Sequence, residues 1–402
     1  MPRTRRSLHS EIDRSGAGNA LPSAMAAEAG TEGRFRRLRT LLSIAMDRTR
    51  RFVLPPWLRA LVFAVVGLFF FILALQLLKQ GAKIYGGQIV QFLRIDSATN
   101  TLGFGWLLAY IFLSGSPVAA IAVSFFAGGT ISGLQAFTMI TGSRLGASFI
   151  VLFVGFVYYL RGHQRSASIA IGVLALLTTA AIYLPALALG YWLLTSGMLD
   201  ALQMSPDTPV ASVVDAIYGP LLDLIKQWGT PGWLEFLGGV GALLLAFNLL
   251  DRALPEMNAE RSSFQRIGQL VYRPTAMFLL GAAVTSITLS VSVSLSILVP
   301  LSAKGLVRRE NTLPYIMGAN ITTFIDTLVA ALIQGGPRAF TIVLVEMVSV
   351  TILSLLTLLL FYRSFERAIL RLQELILHNN RTLSAFLCIM LVVPLILLLV
   401  KL

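Results

Sequence analysis

Charge is scarce in this chain, and cysteine and histidine are scarcer still. Of 402 residues only 13% are charged, one is cysteine and three are histidine, whereas 56% are apolar. The single Cys388 excludes a disulfide framework and, lying in an apolar run, any Cys-based metal site. His9, His163 and His378 are too scattered to make a ligand pair. No nucleophile–base set and no phosphate-binding Gly loop on a strand is present, so an enzyme is not expected and no catalytic residue is nominated. With a mean hydropathy of +0.78, so little charge excludes a soluble globule. The charge that remains is lopsided, at a net +13. Nucleic acid is still not an expected partner, because the basic residues do not build one face. They gather in the N-terminal tail and in loops between apolar runs, which is how membrane topology is encoded.

Two polar interruptions in the apolar sequence organise the rest, and each occurs twice. The first copy is Ser-rich at Leu113–Val123 and Gly-rich at Gly142–Ser148; the second is Ser-rich at Leu289–Val299 and Gly-rich at Gly318–Phe324. Ser114 to Gly142 and Ser290 to Gly318 are both 28 residues, and a shift of 176 superposes 105–149 on 281–325 with 11 identities in 45. The repeat extends upstream, where Pro55-Pro56-Trp57-Leu58 falls on Pro231-Gly232-Trp233-Leu234. Two related halves are therefore expected.

Apolar runs at 58–78, 133–160, 167–195, 234–250, 313–333, 339–361 and 383–400 are long enough to cross a hydrocarbon core. Residues 81–95 read as a separate amphipathic piece. The run 102–127 is broken at Ser114-Gly115-Ser116-Pro117, which leaves arms of about half the membrane thickness and predicts a re-entrant hairpin. Charge separates this from a kinked full crossing. With hairpins at both breaks, 25 of the 32 Lys and Arg fall on the cytoplasmic side, and the acidic loop 196–232 falls outside. That arrangement obeys the positive-inside rule, places the N-terminus in the cytoplasm and makes the two halves inverted repeats.

The fold class expected is an all-α integral membrane protein with about seven full spans plus two hairpins. Its parts are a basic cytoplasmic tail (1–54), a first repeat (55–195), an acidic extracytoplasmic linker (196–230), a second repeat (231–361), and an amphipathic segment with a final span (362–402). Unwound backbone at membrane depth is tolerated only where it is buried in protein or lines a polar cavity, and inverted repeats with broken helices mark secondary transporters. Helix N-termini after Ser116 and Ser292 would suit an anion.

These residues resemble the type II sodium-dependent phosphate cotransporters, bacterial members included. Each half of that family has a Gln-Ser-Ser-Ser tip and a Gly-Ala-Asn-Ile-Gly-Thr-Thr motif some 28 residues on. Gly318-Ala319-Asn320-Ile321-Thr322-Thr323 matches the second motif, Gly142-Ser143-Arg144-Leu145-Gly146-Ala147-Ser148 matches it in outline, and Ser114-Gly115-Ser116 and Ser290-Val291-Ser292 stand at the tips. The resemblance covers roughly 55–340. Leu113 and Leu289 replace the tip Gln, Arg144 the first Asn, and Ala109 a Thr kept as Thr285. The resemblance implies sodium-coupled symport of phosphate or a similar small anion across a bacterial inner membrane. It also implies sodium as coupling ion with no other cofactor, and a site near the midplane. The residues expected there are Ser114, Ser116, Gly142, Arg144, Ser148, Thr285, Ser290, Ser292, Asn320, Thr322, Thr323 and Asp326.

Arg144 and Asp326, each costly within a span, are expected to pair or to share the central cavity. Glu346 reads equally as a proton or ion site and as an interhelical hydrogen bond; Asp251 reads as interfacial. The partners expected are the anion, sodium, the lipid bilayer and a second copy in a homodimer. A different solute or proton coupling remains an alternative, as does a transport-inactive binding or regulatory protein. The topology has a direct test in a Cys388→Ser background. Cysteine placed at Asp207 is expected to react with an impermeant maleimide in intact cells, and cysteine at Gln164 only after lysis. The reverse pattern would replace hairpins with full crossings.

Overall fold

The structure is a computed structural model that describes residues 55–93, 95–160, 165–199, 209–227, 231–253, 273–303, 307–334 and 336–400. The expected tail (1–54) and residues 200–208 and 228–230 of the acidic loop lie outside the described residues. Ala60–Leu402 forms one compact unit.

Every regular element among the described residues is helical. The first half contains α1 (Pro56–Leu93), α2 (Ala98–Phe112), α3 (Ser116–Ala127), α4 (Gly133–Ala147), α5 (Phe149–Leu160) and α6 (Arg165–Ser196). After α7 (Pro209–Gln227), the second half contains α8 (Gly232–Ala253), α9 (Pro274–Thr288), α10 (Val291–Ser296), α11 (Leu298–Ala303), α12 (Arg309–Thr322), α13 (Phe324–Gln334) and α14 (Gly336–Leu356). A π-helical turn, Thr357–Phe361, leads into α15 (Tyr362–Leu377), and α16 (Asn380–Leu399) follows. Seven helical stretches among the described residues are long and apolar enough to cross a membrane. The chain is an all-α integral membrane protein.

The 176-residue shift read from the sequence is also a shift of helix boundaries. Pro56, Ala98 and Gly133 begin helices, and so do Gly232, Pro274 and Arg309; Phe112 and Thr288 both end one. At both tips the chain reverses through a leucine in left-handed conformation, Leu113 and Leu289, each with φ of 50°. They are the only non-Gly residues with positive φ among those described. A Cβ in this region costs about 1–2 kcal/mol, and helix ends usually put Gly or Asn there. At the first tip the Ser114 N–H returns to the Ala109 carbonyl at 3.2 Å, which satisfies a terminal acceptor of α2. The second returning arm departs from the expected single helix. It divides at Ile297 into α10 and α11, since Pro300 has no N–H to offer the Ser296 carbonyl.

The Gly-rich motifs have a packing role that explains their place in the repeat. A Cβ at Gly142 would run into the Leu102 carbonyl oxygen, and one at Gly105 into that of Met139, so α2 and α4 meet backbone to backbone. Gly281 and Gly318 do the same for α9 and α12, against the carbonyls of Tyr315 and Phe278. Small residues at such crossings are what allow helices to approach within a membrane.

Two expectations change, and the linker gains a packing partner. Residues 81–95 are not a separate piece: α1 runs on to Leu93, and Gly81 serves close approach to Phe236 instead of a break. The amphipathic linker helix α7 lies along α1, with Val214 and Tyr218 packed on Leu73 and Leu77. Residues 362–377 continue the preceding helix through the π turn, because no helix-breaking residue separates them, and Asn380 starts the last helix. The last helix is fastened to the first hairpin. Asn100 Nδ2 donates to the Leu398 and Val400 carbonyls, both at 2.8 Å, and the Tyr110 hydroxyl donates to Met390 O at 3.0 Å.

Replacing Gly142 or Gly318 with Val should destabilise the protein by about 1–3 kcal/mol through forced overpacking. Thermal unfolding in detergent should show this as a lowered midpoint. Gly241→Ala, where a Cβ meets nothing within 4 Å, should leave the midpoint unlowered.

Candidate functional site

Arg144 stands in the last turn of α4 and is only 4% exposed. Its Nη1 donates to Thr323 Oγ1 at 3.2 Å and its Nη2 to Thr327 Oγ1 at 2.6 Å. Nη2 is 3.7 Å from Asp326 Oδ1, and the guanidinium carbon lies 4.8 Å from the centre of the Phe324 ring. Thr327 passes the link on, donating its own hydroxyl to Asp326 Oδ1 at 2.8 Å. Insertion of an Arg at a span centre costs about 2.5–3.5 kcal/mol, and these partners, the aromatic face included, offset that. All of them come from the turn where α12 gives way to α13. The expected pairing of Arg144 with Asp326 is therefore present in the structure.

The ion pair is incompletely satisfied. Arg144 Nε and Asp326 Oδ2 are buried without a hydrogen bond. Ser116, the first residue of α3, faces the Asp326 carboxylate. α3 starts there with no side-chain cap, so its free N–H groups open beside negative charge, the favourable sense for a helix dipole.

Around this pair runs a buried polar shell that residue spacing did not reveal. Tyr183 on α6 is fully buried, donates to the Asn320 carbonyl at 3.0 Å and stacks on Phe324 with centroids 6.3 Å apart. Asn320 itself turns to α6, where its Nδ2 donates to Thr179 Oγ1 at 3.1 Å. Glu346 on α14 is 1% exposed; its Oε1 is 2.7 Å from Thr141 Oγ1, and its Oε2 has no partner. Thr141 lies one turn before Arg144 on the same helix. Sequence patterning missed Tyr183, Thr179, Thr327 and Thr141, because isolated hydroxyls in apolar helices carry no periodic signal.

The other nominated residues separate into two groups. Ser114 and Ser290 line one cavity of about 590 Å³ between the hairpin tips, together with Leu113, Pro117, Val293 and, from α8, Asn248 and Asp251. Pro117 adjoins Ser116, so this cavity is one residue removed from Asp326. Ser290 also caps α10, accepting from the Val293 N–H at 3.3 Å. Most of the remainder are engaged with neighbouring backbone or hydroxyls. Ser148 donates to Leu145 O, Thr322 to Ala282 O, and Thr285 to Ser294 Oγ within a network that includes Tyr315. Gly142 faces Leu102. Ser292 sits in the first turn of α10, and its side chain lies outside the described residues.

Comparison with known proteins gives a partial likeness. Over 115 residues the chain is 30% identical to the human sodium-dependent phosphate transport protein 2B, a match covering 26% of this chain and 17% of that protein. The protein of that name from Pongo abelii is 30% identical over 112 residues, or 25% of this chain and 16% of that one. The chain thus matches about a sixth of the length of these curated relatives. No family model and no solved structure matches it.

Removing one half of the buried pair should cost more than removing both. Asp326→Leu or Arg144→Leu alone should destabilise by about 3–5 kcal/mol by leaving an unpaired buried charge, whereas the double variant should cost less than either. Chemical denaturation of the four proteins in detergent provides the double-mutant cycle.

Proposed function

We propose that this chain is a secondary transporter that moves a small inorganic anion, phosphate foremost, in symport with sodium. The observation that carries this reading is the 30% identity to sodium-dependent phosphate transport protein 2B. The duplicated hairpins and the buried Arg144 cluster fit the same reading.

In this scheme the anion enters the cavity between the tips and meets the hydroxyls of Ser114 and Ser290. Arg144 lies behind the first tip and is held by Asp326. A guanidinium offers parallel N–H donors that match a tetrahedral oxyanion, so a phosphate oxygen and the Asp326 carboxylate compete for the same donors. Anion binding then frees Asp326 from its cationic partner. The bared carboxylate, with Ser116 beside it, is a hard oxygen site for a sodium ion. Coupling follows from charge: in a low-dielectric interior neither ion is stable beside this pair without the other.

A second reading keeps the transporter but changes the solute or the driving ion to protons. It is favoured by Leu113 and Leu289, whose apolar side chains occupy both tips where the resembling family has Gln.

Purified protein in liposomes should take up labelled phosphate several-fold faster with an inward sodium gradient than with choline, and Arg144→Ala should abolish the difference. Uptake driven by a pH gradient alone would select the second reading. Absence of uptake for phosphate, sulfate and related oxyanions under either gradient would refute both for these substrates.

A further inference from the structure

Hydrogen counting at Glu346 leads beyond the anion site. Thr141 has a single hydroxyl proton, yet its Oγ1 lies 3.1 Å from the Phe137 carbonyl oxygen and 2.7 Å from Glu346 Oε1. Both neighbours are acceptors if Glu346 is ionised, and one proton cannot serve two acceptors at full strength. If Glu346 carries a proton, it donates to Thr141, and Thr141 donates to Phe137.

Charge counting agrees. The titratable groups that face Glu346 are Arg144 from α4 and Tyr183 from α6, with Asp326 of α13 beyond Arg144. Of the other helices packed on α14, α3 has no titratable residue, and those of α12 lie elsewhere: Tyr315 binds Ser294, and Arg309 and Glu310 stand in its first turn, with Glu310 beside Tyr362 and Glu366. One cation therefore stands against two carboxyl groups, and Asp326 already holds it. A second buried carboxylate with an unpartnered oxygen, Glu346 Oε2, leaves the cluster one positive charge short.

We infer that Glu346 is a proton-binding site separate from the hairpin tips, with the proton held between its carboxyl group and Thr141. The proton leaves as H⁺ to solvent only when another monovalent cation takes its place or when Arg144 gives up Asp326. This inference does not depend on which solute the protein carries. It adds a titrating carboxyl to the cluster whether or not phosphate is moved.

Infrared difference spectroscopy of the purified protein at neutral pH reads this directly. The wild type should show the C=O stretching band of a protonated carboxylic acid. Glu346→Gln should lose that band, and Asp326→Asn should keep it. Thr141→Val in an otherwise native protein should shift the same band upward, because its hydrogen bond is lost; that arm stands even if the Gln variant fails to fold. A wild-type spectrum with no band attributable to Glu346, or a band unmoved by Thr141→Val, would overturn the proposal. Neither result bears on phosphate uptake, so the two readings fail separately.

Discussion

A guanidinium that cannot lose its proton lies buried in helices made for hydrocarbon, and most of the centre of this protein is arranged around that fact. Arg144 cannot be neutralised by deprotonation, so it must be matched. The turn between α12 and α13 does this with two hydroxyls, a carboxylate and an aromatic face drawn from five consecutive residues, Thr323 to Thr327. Those groups can converge because α4 and α12 each press bare glycine backbone against the neighbouring hairpin arm. Arg144 of the first Gly-rich segment then reaches Thr323 of the second at 3.2 Å. Packing and electrostatics are thus one problem at this point.

The repeats share helix boundaries and tip geometry but have divided their polar work. Asn320, the equivalent of Arg144, also reaches the opposite half, but it meets a single hydroxyl there, Thr179 of α6, and no charge. The first tip opens beside the Arg144–Asp326 pair, while the second is bound up with Thr285, Ser294 and Tyr315. Outside the centre, α16 covers α2 at Gly103 and is fastened by Asn100, whereas Leu279, the equivalent of Gly103 on α9, stays 65% exposed. A duplicated scaffold has become asymmetric by changing a few side chains and by covering one hairpin.

The left-handed leucines at both tips bear on function in a different way. A conformation that disfavours any Cβ has been kept twice at the same register, with an apolar side chain in each case. Stored backbone strain at both reversals, with Leu113 lining the cavity, marks the tips as places where geometry outweighs local preference. The serines beside them are less uniform in role. Ser114 lines the cavity, Ser290 lines it and also caps α10, and Ser116 faces Asp326.

Residue order alone was enough for the helical class, the repeat of 176 and the position of both chain reversals. These depend on hydropathy runs and on Ser, Gly and Pro, whose backbone effects are local. It was also enough to single out Arg144 and Asp326, because a lone charge in an apolar span needs a partner. Which atoms meet was decided only by the tertiary structure. Thr141 and Glu346 are 205 residues apart, Tyr183 and Asn320 are 137 apart, and Gln334 joins Leu75 and Ser124 across three helices. Nothing local distinguishes these residues from hydroxyls and amides bonded to their own helix. A helix-face hydroxyl costs little either way until packing removes the alternatives, and packing belongs to the whole chain.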